Sequence, residues 1–159
     1  VRRLLALLVP LVLFGACRSA PAPLPTPTSG YGAATPRSAV ELFLKAIKAG
    51  DLQAISTVWG NEQGPLANDK SVGRDEIEKR ELLMVCFFGH DEARVLEQVQ
   101  AGEPAHTVFQ TELTKGELQR RPTISTVRGP EGRWFVVDAD IQAVRDFCQP
   151  STGSSAPPA

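Results

Sequence analysis

Residues 35–60, TPRSAVELFLKAIKAGDLQAISTVWG, decide the fold. Val40, Phe43, Leu44 and Ile47 recur at i, i+3, i+4 and i+7, which places four bulky apolar side chains on one stripe of a helix. Such a stripe has to be covered by a sheet or another helix. Thr35 can cap the first turn, and Pro36 suits the first helical position, where its missing N–H costs nothing. Gly50 can take the left-handed conformation that stops the helix. Asp51 then caps a second helix, whose apolar face is Leu52, Ile55, Val58 and Trp59. The pattern predicts two helices joined at Gly50-Asp51, with Phe43 and Trp59 both buried.

Residues 60–73, GNEQGPLANDKSVG, are polar and turn-rich and read as a loop. A third helix is predicted from about Asp75 to Gly89, with acids in its first turns, where the helix dipole favours them. Ile77, Arg80, Met84 and Phe87 form its stripe, widened by Leu83 and Phe88. After Gly89 the period changes from helical to alternating over 94–100, 106–113, 123–128 and 133–138, which predicts four strands joined by short turns. Residues 139–148 either prolong the last strand or form a short terminal helix. Three helices followed by an antiparallel meander make an α+β fold, with the helices on one face of the sheet.

The 159 residues are 42% apolar and 22% charged, enough for one domain with a real core. A net charge of -1 and basic residues that form no cluster beyond pairs such as Arg120-Arg121 give no field to hold a phosphate backbone. Nucleic acid is therefore excluded as an expected partner.

The two ends have a different composition. Arg2 and Arg3 precede an apolar run from Leu4 to Phe14, too short to span a bilayer that needs about 20 residues. Residues 1–16 read as a signal peptide, and their removal takes the formal charge from -1 to -3. The run ends Leu13-Phe14-Gly15-Ala16-Cys17, which resembles the bacterial lipoprotein lipobox: small residues before a Cys and bulky apolar ones further back, with Phe14 where the usual pattern has Leu. The resemblance implies that Cys17 becomes the mature N-terminus and carries a diacylglycerol and an N-acyl chain, an anchor stabilised by about 0.8 kcal/mol per buried methylene. Arg18 follows, not the Asp associated with inner-membrane retention, so in a Gram-negative cell the resemblance favours the outer membrane. Residues 17–35, with Pro at 21, 23, 25 and 27, read as a disordered tether. At about 3.1 Å per residue it reaches roughly 55 Å. Leu24 and Tyr31, its large apolar residues, are expected in solvent. Residues 149–159, QPSTGSSAPPA, read as a disordered tail, leaving 36–148 as the domain.

The Gly50-Asp51 junction, the third helix and the hairpins ending in Gly132-Arg133-Trp134-Phe135-Val136-Val137 resemble the nuclear transport factor two-like, SnoaL-like superfamily with its cystatin-like sheet. In particular they resemble bacterial lipoproteins of unknown function that carry such a domain. The resemblance covers most of Pro36 to Ile141. It implies a cone in which helices and a curved sheet enclose a pocket, and relatives that pair as homodimers through the exposed face of the sheet. Members include isomerases, cyclases, dehydratases and non-catalytic modules, so fold alone assigns no activity.

An isomerase site of this type needs a carboxylate base and hydrogen-bond donors in an apolar pocket. Alternation places His106, Val108, Gln110 and Glu112 on one face of a strand, which either lines a wet pocket or forms the solvated back of the sheet. Asp138 shares parity with Trp134 and Val136 if the last strand continues, and either supplies a base or ends the strand. Glu112, His106 and Asp138 are thus the catalytic candidates. Phe43, Trp59 and Trp134 either line a pocket or pack the core. The run Cys86-Phe87-Phe88-Gly89-His90-Asp91-Glu92 brings a Cys, a His and carboxylates together without metal-ligand spacing, so neither a metal nor another cofactor is expected. Glycine-rich phosphate loops, G-x-S-x-G and Cys-x-x-Cys are absent from the sequence. In an exported chain with Cys17 lipidated, Cys86 and Cys148 are expected to form a disulfide worth about 4 kcal/mol by chain entropy, or else to lie buried separately. The leading expectation is a membrane-anchored, non-enzymatic lipoprotein that binds an envelope protein or a small apolar ligand. The alternatives are a SnoaL-type isomerase or lyase using a pocket carboxylate, and a periplasmic metal or ligand carrier.

Overall fold

The computed structural model describes residues 30–101 and 105–149. The signal segment 1–16, Cys17, the tether as far as residue 29 and the tail from 150 lie outside the described residues.

Helix α1 (Pro36–Ala49) begins with a reciprocal cap: Ser38 N–H donates to the Thr35 hydroxyl at 3.1 Å, and Thr35 N–H donates to Ser38 Oγ at 3.0 Å. It ends at Gly50, where φ is 64°, a left-handed turn that a Cβ would strain. Between these ends Ala39, Val40, Phe43, Leu44, Ala46 and Ile47 are all buried. Helix α2 (Leu52–Val58) is capped by Asp51, whose carboxylate accepts from Ala54 N–H at 3.0 Å, and it buries Ile55 and Val58. Trp59 lies just beyond the helix in extended backbone, half-buried. The segment expected as plain loop contains a small hairpin, β1 (Gly60–Asn61) with β2 (Gly64–Pro65), and a 3-10 turn at Leu66–Asn68.

Helix α3 (Arg74–Phe88) corrects the predicted stripe. Its buried residues are Glu81, Met84 and Phe88. Arg80 points outward to an ion pair with Glu76 at 3.0 Å, Leu82 and Leu83 are exposed, and Phe87 is half-buried. The stripe that faces inward runs Ile77, Glu81, Met84, Phe88, one residue round the helix from the expected one.

Five strands form the main sheet: β3 (Glu92–Ala101), β4 (His106–Lys115), β5 (Leu118–Arg120), β6 (Thr123–Arg128) and β7 (Trp134–Ala139). Their order is β3-β4-β6-β7, all antiparallel, with β5 pairing the last residues of β4. The unpredicted strand β5 and the predicted strand β6 lie along the same edge of β4, interrupted at Arg121-Pro122, where proline has no N–H to give the ladder. Thr111 repairs the break by donating both its N–H and its hydroxyl to the Pro122 carbonyl, at 3.0 and 2.9 Å. That interruption and the register shifts in β3 and β7 curve the sheet over the helices.

Both outer strands have their edges partly covered. Along β7, Ala33 exchanges two backbone hydrogen bonds with Trp134, at 2.8 and 2.9 Å, and Trp59 forms a parallel bridge to Val136. The tether, expected to run to Thr35, thus gives way to packed structure earlier: Ala33 is buried, Gly32 N–H donates to Thr57 O, and Arg133 donates to the Tyr31 and Gly32 carbonyls. Along β3, Arg37 donates to the Val95 and Leu96 carbonyls, where the register slips. After Ala139 the chain leaves the sheet and forms a 3-10 helix (Gln142–Cys148) against α3, burying Val144 and Phe147. There Cys148 is joined to Cys86 by a disulfide, with Cα atoms 5.0 Å apart and 62 positions between them in sequence. No helix among the described residues is long and apolar enough to cross a membrane.

Candidate functional site

Strand β4 alternates as predicted. Thr107, Phe109, Thr111 and Leu113 are buried beneath the helices, and His106, Val108, Gln110 and Glu112 occupy the opposite, outer face. Glu112 accepts from Arg121 at 2.9 and 3.1 Å, and Arg94 reaches its other oxygen at 3.9 Å, so the carboxylate is engaged rather than free. His106 Nε2 lies 3.5 Å from Glu62. Asp138 does not share a face with Trp134 and Val136. A register shift between Ser125 and Thr126 leaves Val137 as an extra residue in β7, so Asp138 pairs with Ser125 on the outer face, exposed, accepting only from Ala139 N–H. It is two strands from β4, about 10 Å. The three catalytic candidates share an outer surface, and none of them lines either of the hollows between the helices and loops.

The space between helices and sheet is occupied by side chains. Phe43, Phe88, Phe109, Leu113 and Ile124 meet there, and Trp59 and Trp134 are half-buried against them. Phe43 packs edge-to-face on Phe88 and Trp59, at 6.4 and 6.5 Å between centroids. Phe43 and the two tryptophans therefore fill the core where a pocket was one expectation. The Cys-His-acid run is likewise committed elsewhere. Cys86 is in the disulfide, and the His90 ring meets the Phe88 carbonyl at 2.8 Å, with burial holding its pKa below the ordinary range. Among the described residues no three His, Cys, Asp or Glu side chains form a group able to hold a metal ion.

The site that stands out chemically is one the sequence reasoning missed. Between α2, the turn after β2 and the first half of α3 lies a cleft of ≈ 540 Å³. Leu52 and Ser56 of α2 form one wall, Ile77 and Glu81 of α3 the other, and Asp69 and Val72 of the loop close an end. Glu81 is only 4% exposed, and its Oε1 is buried with no hydrogen-bond partner. Burial pushes the Glu81 carboxyl above the usual carboxylate range; the Ser56 hydroxyl opposes the shift and the charge of Glu78 adds to it. That hydroxyl has a single proton, placed on the Gln53 carbonyl at 3.0 Å, so turning it to Glu81 would strip it from Gln53. Asp69 behaves oppositely: bonds from the Ser71 hydroxyl and N–H hold its carboxyl below the ordinary value. The signal was present in the spacing, since Ile77, Glu81, Met84 and Phe88 recur at i, i+4, i+7 and i+11. A second hollow, a groove of ≈ 520 Å³, runs between the 30–34 segment and the outer side of α1 and α2, lined by Ala33, Leu42, Ala46, Ala54 and Val58, with Arg133 at its margin.

No family model matches the sequence, and no curated protein matches it. Similar solved structures do exist. One is a protein of Thiobacillus denitrificans assigned as a calcium/calmodulin-dependent protein kinase type II association domain, 18% identical, with 69% of this chain and 94% of that one covered and a TM-score of 0.42. An NTF-2-like protein of unknown function from Silicibacter pomeroyi is 13% identical, with 65% of this chain and 87% of that one covered and a TM-score of 0.41. The Δ5-3-ketosteroid isomerase of a Mycobacterium species is 10% identical, with 68% and 95% covered and a TM-score of 0.41. These likenesses bear on fold alone.

Proposed function

We propose that this chain is a membrane-anchored lipoprotein of the cell envelope whose α+β domain binds a ligand or partner without transforming it. The observation that carries the binding half is the filled interior: the volume that a catalytic pocket of this architecture would occupy holds Phe43, Phe88, Phe109 and Leu113. Glu112 is paired with arginines on the outer face, and the one tyrosine of the sequence, Tyr31, lies in the segment that Arg133 holds beside β7. The anchoring half rests on the lipobox-like residues ending at Cys17 and on the Pro-rich stretch that separates them from the first packed residues.

A second reading, an isomerase or lyase of SnoaL type, has one observation in its favour, the raised carboxyl of Glu81. A base alone does not make such a site. Proton abstraction beside a carbonyl also needs donors aimed at the developing oxyanion, and around Glu81 the one facing hydroxyl is already placed on Gln53. The deciding assay is turnover of a Δ5-3-ketosteroid, the substrate named for one structural neighbour, by the purified chain. The binding reading expects none above buffer. Turnover that Glu81→Gln abolishes would replace it with the enzymatic reading. For the anchor, the wild type should partition into detergent, and Cys17→Ala should abolish lipid attachment and leave the precursor uncleaved at Ala16. A wild-type chain already in the aqueous phase, with an unmodified Cys17 by mass spectrometry, would end the lipoprotein assignment.

A further inference from the structure

We infer that the α2–α3 cleft is the binding site, and that it takes an organic ammonium, a protonated amine on an apolar body, held by the Glu81 carboxylate. The inference rests on the binding reading above and names its ligand class. A buried polar atom without a partner costs about 1 to 3 kcal/mol, more if charged, and folded proteins rarely leave one unless something arrives to meet it. Glu81 carries such an atom, its side chain makes no hydrogen bond within the described residues, and it lines a cleft large enough for a ligand of a dozen or more heavy atoms. Its stripe gives it no freedom to turn away, because Met84 and Phe88 on the same face are locked in the core.

The chemistry of the walls selects the ligand. Leu52, Val72 and Ile77 offer half-buried apolar surface for a hydrocarbon body. The charged groups that face the cleft are Asp69 from the loop and Arg74, Glu78 and Glu81 from α3, while α2 contributes only the neutral Gln53 and Ser56. Three acids against one base favour a cation, and Asp69, held ionised by Ser71, keeps that bias at neutral pH. An ammonium supplies a donor that the carboxyl lacks and a charge that favours its ionised form. Binding therefore lowers the Glu81 pKa from its raised value, and wherever the pH leaves the free carboxyl protonated the expelled proton goes to buffer.

The test titrates the full chain with phenylbutylammonium and, as an uncharged probe of the same shape, phenylbutanol. The amine is expected to shift the amide resonances of residues 52–56 and 77–81 and to bind about ten- to a hundredfold more tightly than the alcohol. In titrations taken to acid pH, where the free carboxyl is protonated, its calorimetric heat should vary with the ionisation enthalpy of the buffer, reporting proton release. Glu81→Gln should abolish both the preference and the buffer dependence. Ile77→Ala should weaken amine and alcohol alike, which separates loss of the apolar wall from loss of the anchor. Equal affinities for the two probes, resonance shifts confined to other surfaces, or an unchanged preference in a folded Glu81→Gln variant would each overturn the inference. None of these outcomes involves ketosteroid turnover, so failure here leaves the binding reading to stand or fall on its own assay.

Discussion

Helix α1 buries six residues, all of them apolar, whereas α3, one residue longer, buries three, of which one is a glutamate, and leaves Leu82 and Leu83 in solvent. Both helices contribute to the same core. The difference lies in what holds each in place. Helix α1 is fixed by its own stripe, its reciprocal cap and its glycine stop. Helix α3 has no side-chain cap, and its far end is tied by the Cys86–Cys148 disulfide and the 3-10 helix laid across it. A helix secured from outside can carry a costly residue on its inward face, and a binding group is the kind of residue that repays that freedom.

The comparison can be broken by mutation. The largest effect is expected at Phe43, fully buried between Trp59 and Phe88: Phe43→Ala should cost about 3 to 5 kcal/mol in a denaturant titration. A loss of a few tenths would mean that α1 is not the centre of the core. Next, converting both Cys86 and Cys148 to Ala should cost about 2 to 4 kcal/mol and should loosen α3 before α1, read as faster hydrogen exchange at residues 82–88 than at 40–47. Equal loosening of the two helices would erase the distinction drawn here. Thr35→Ala removes the cap of α1 and should cost about 1 kcal/mol.

Glu81→Gln tests α3 through pH. The folded-state pKa of Glu81 is raised, so its protonated form is favoured by folding: the contribution is fully present below the unfolded carboxyl value and is lost as pH rises through the folded one. The wild type should therefore lose stability relative to the glutamine variant between acid and neutral pH. Parallel pH profiles for the two would place the carboxyl in water. The smallest effect is expected at Leu83→Ser, which should stay within about 0.5 kcal/mol because the side chain is 54% exposed.

Much of this contrast could be read from the chain, but unevenly. The stripe of α1 was legible because every residue on it is apolar and its ends carry a threonine, a proline and a glycine in the right places. On α3 the same search for apolar periodicity slipped onto Arg80 and Phe87, since a buried glutamate interrupts the signal while exposed Leu82 and Leu83 add a false one. The disulfide followed from the two cysteines that remain once Cys17 is set aside as the expected lipid site, whereas β5 escaped notice because three residues after a tight turn carry no period. Alternation in β4 sorted His106 and Glu112 onto one face, but which face the helices cover is a property of the whole fold. Asp138 was misplaced by a single extra residue in β7. The packed 30–34 segment was invisible in Gly-Tyr-Gly-Ala-Ala, because what orders it, Arg133 and Trp134, lies a hundred positions away.

That same segment determines how the domain meets mechanical load. Any pull on the chain upstream of Gly30 reaches the fold through the carbonyls of Tyr31 and Gly32 in the grip of Arg133, then the Gly32 bond to Thr57, then the paired Ala33 and Trp134. These are successive links, and the last of them, Ala33, is packed in the same core as Phe43. A load entering here therefore meets the sheet at Trp134 and the second helix at Thr57 before it meets the cap of α1 at Thr35.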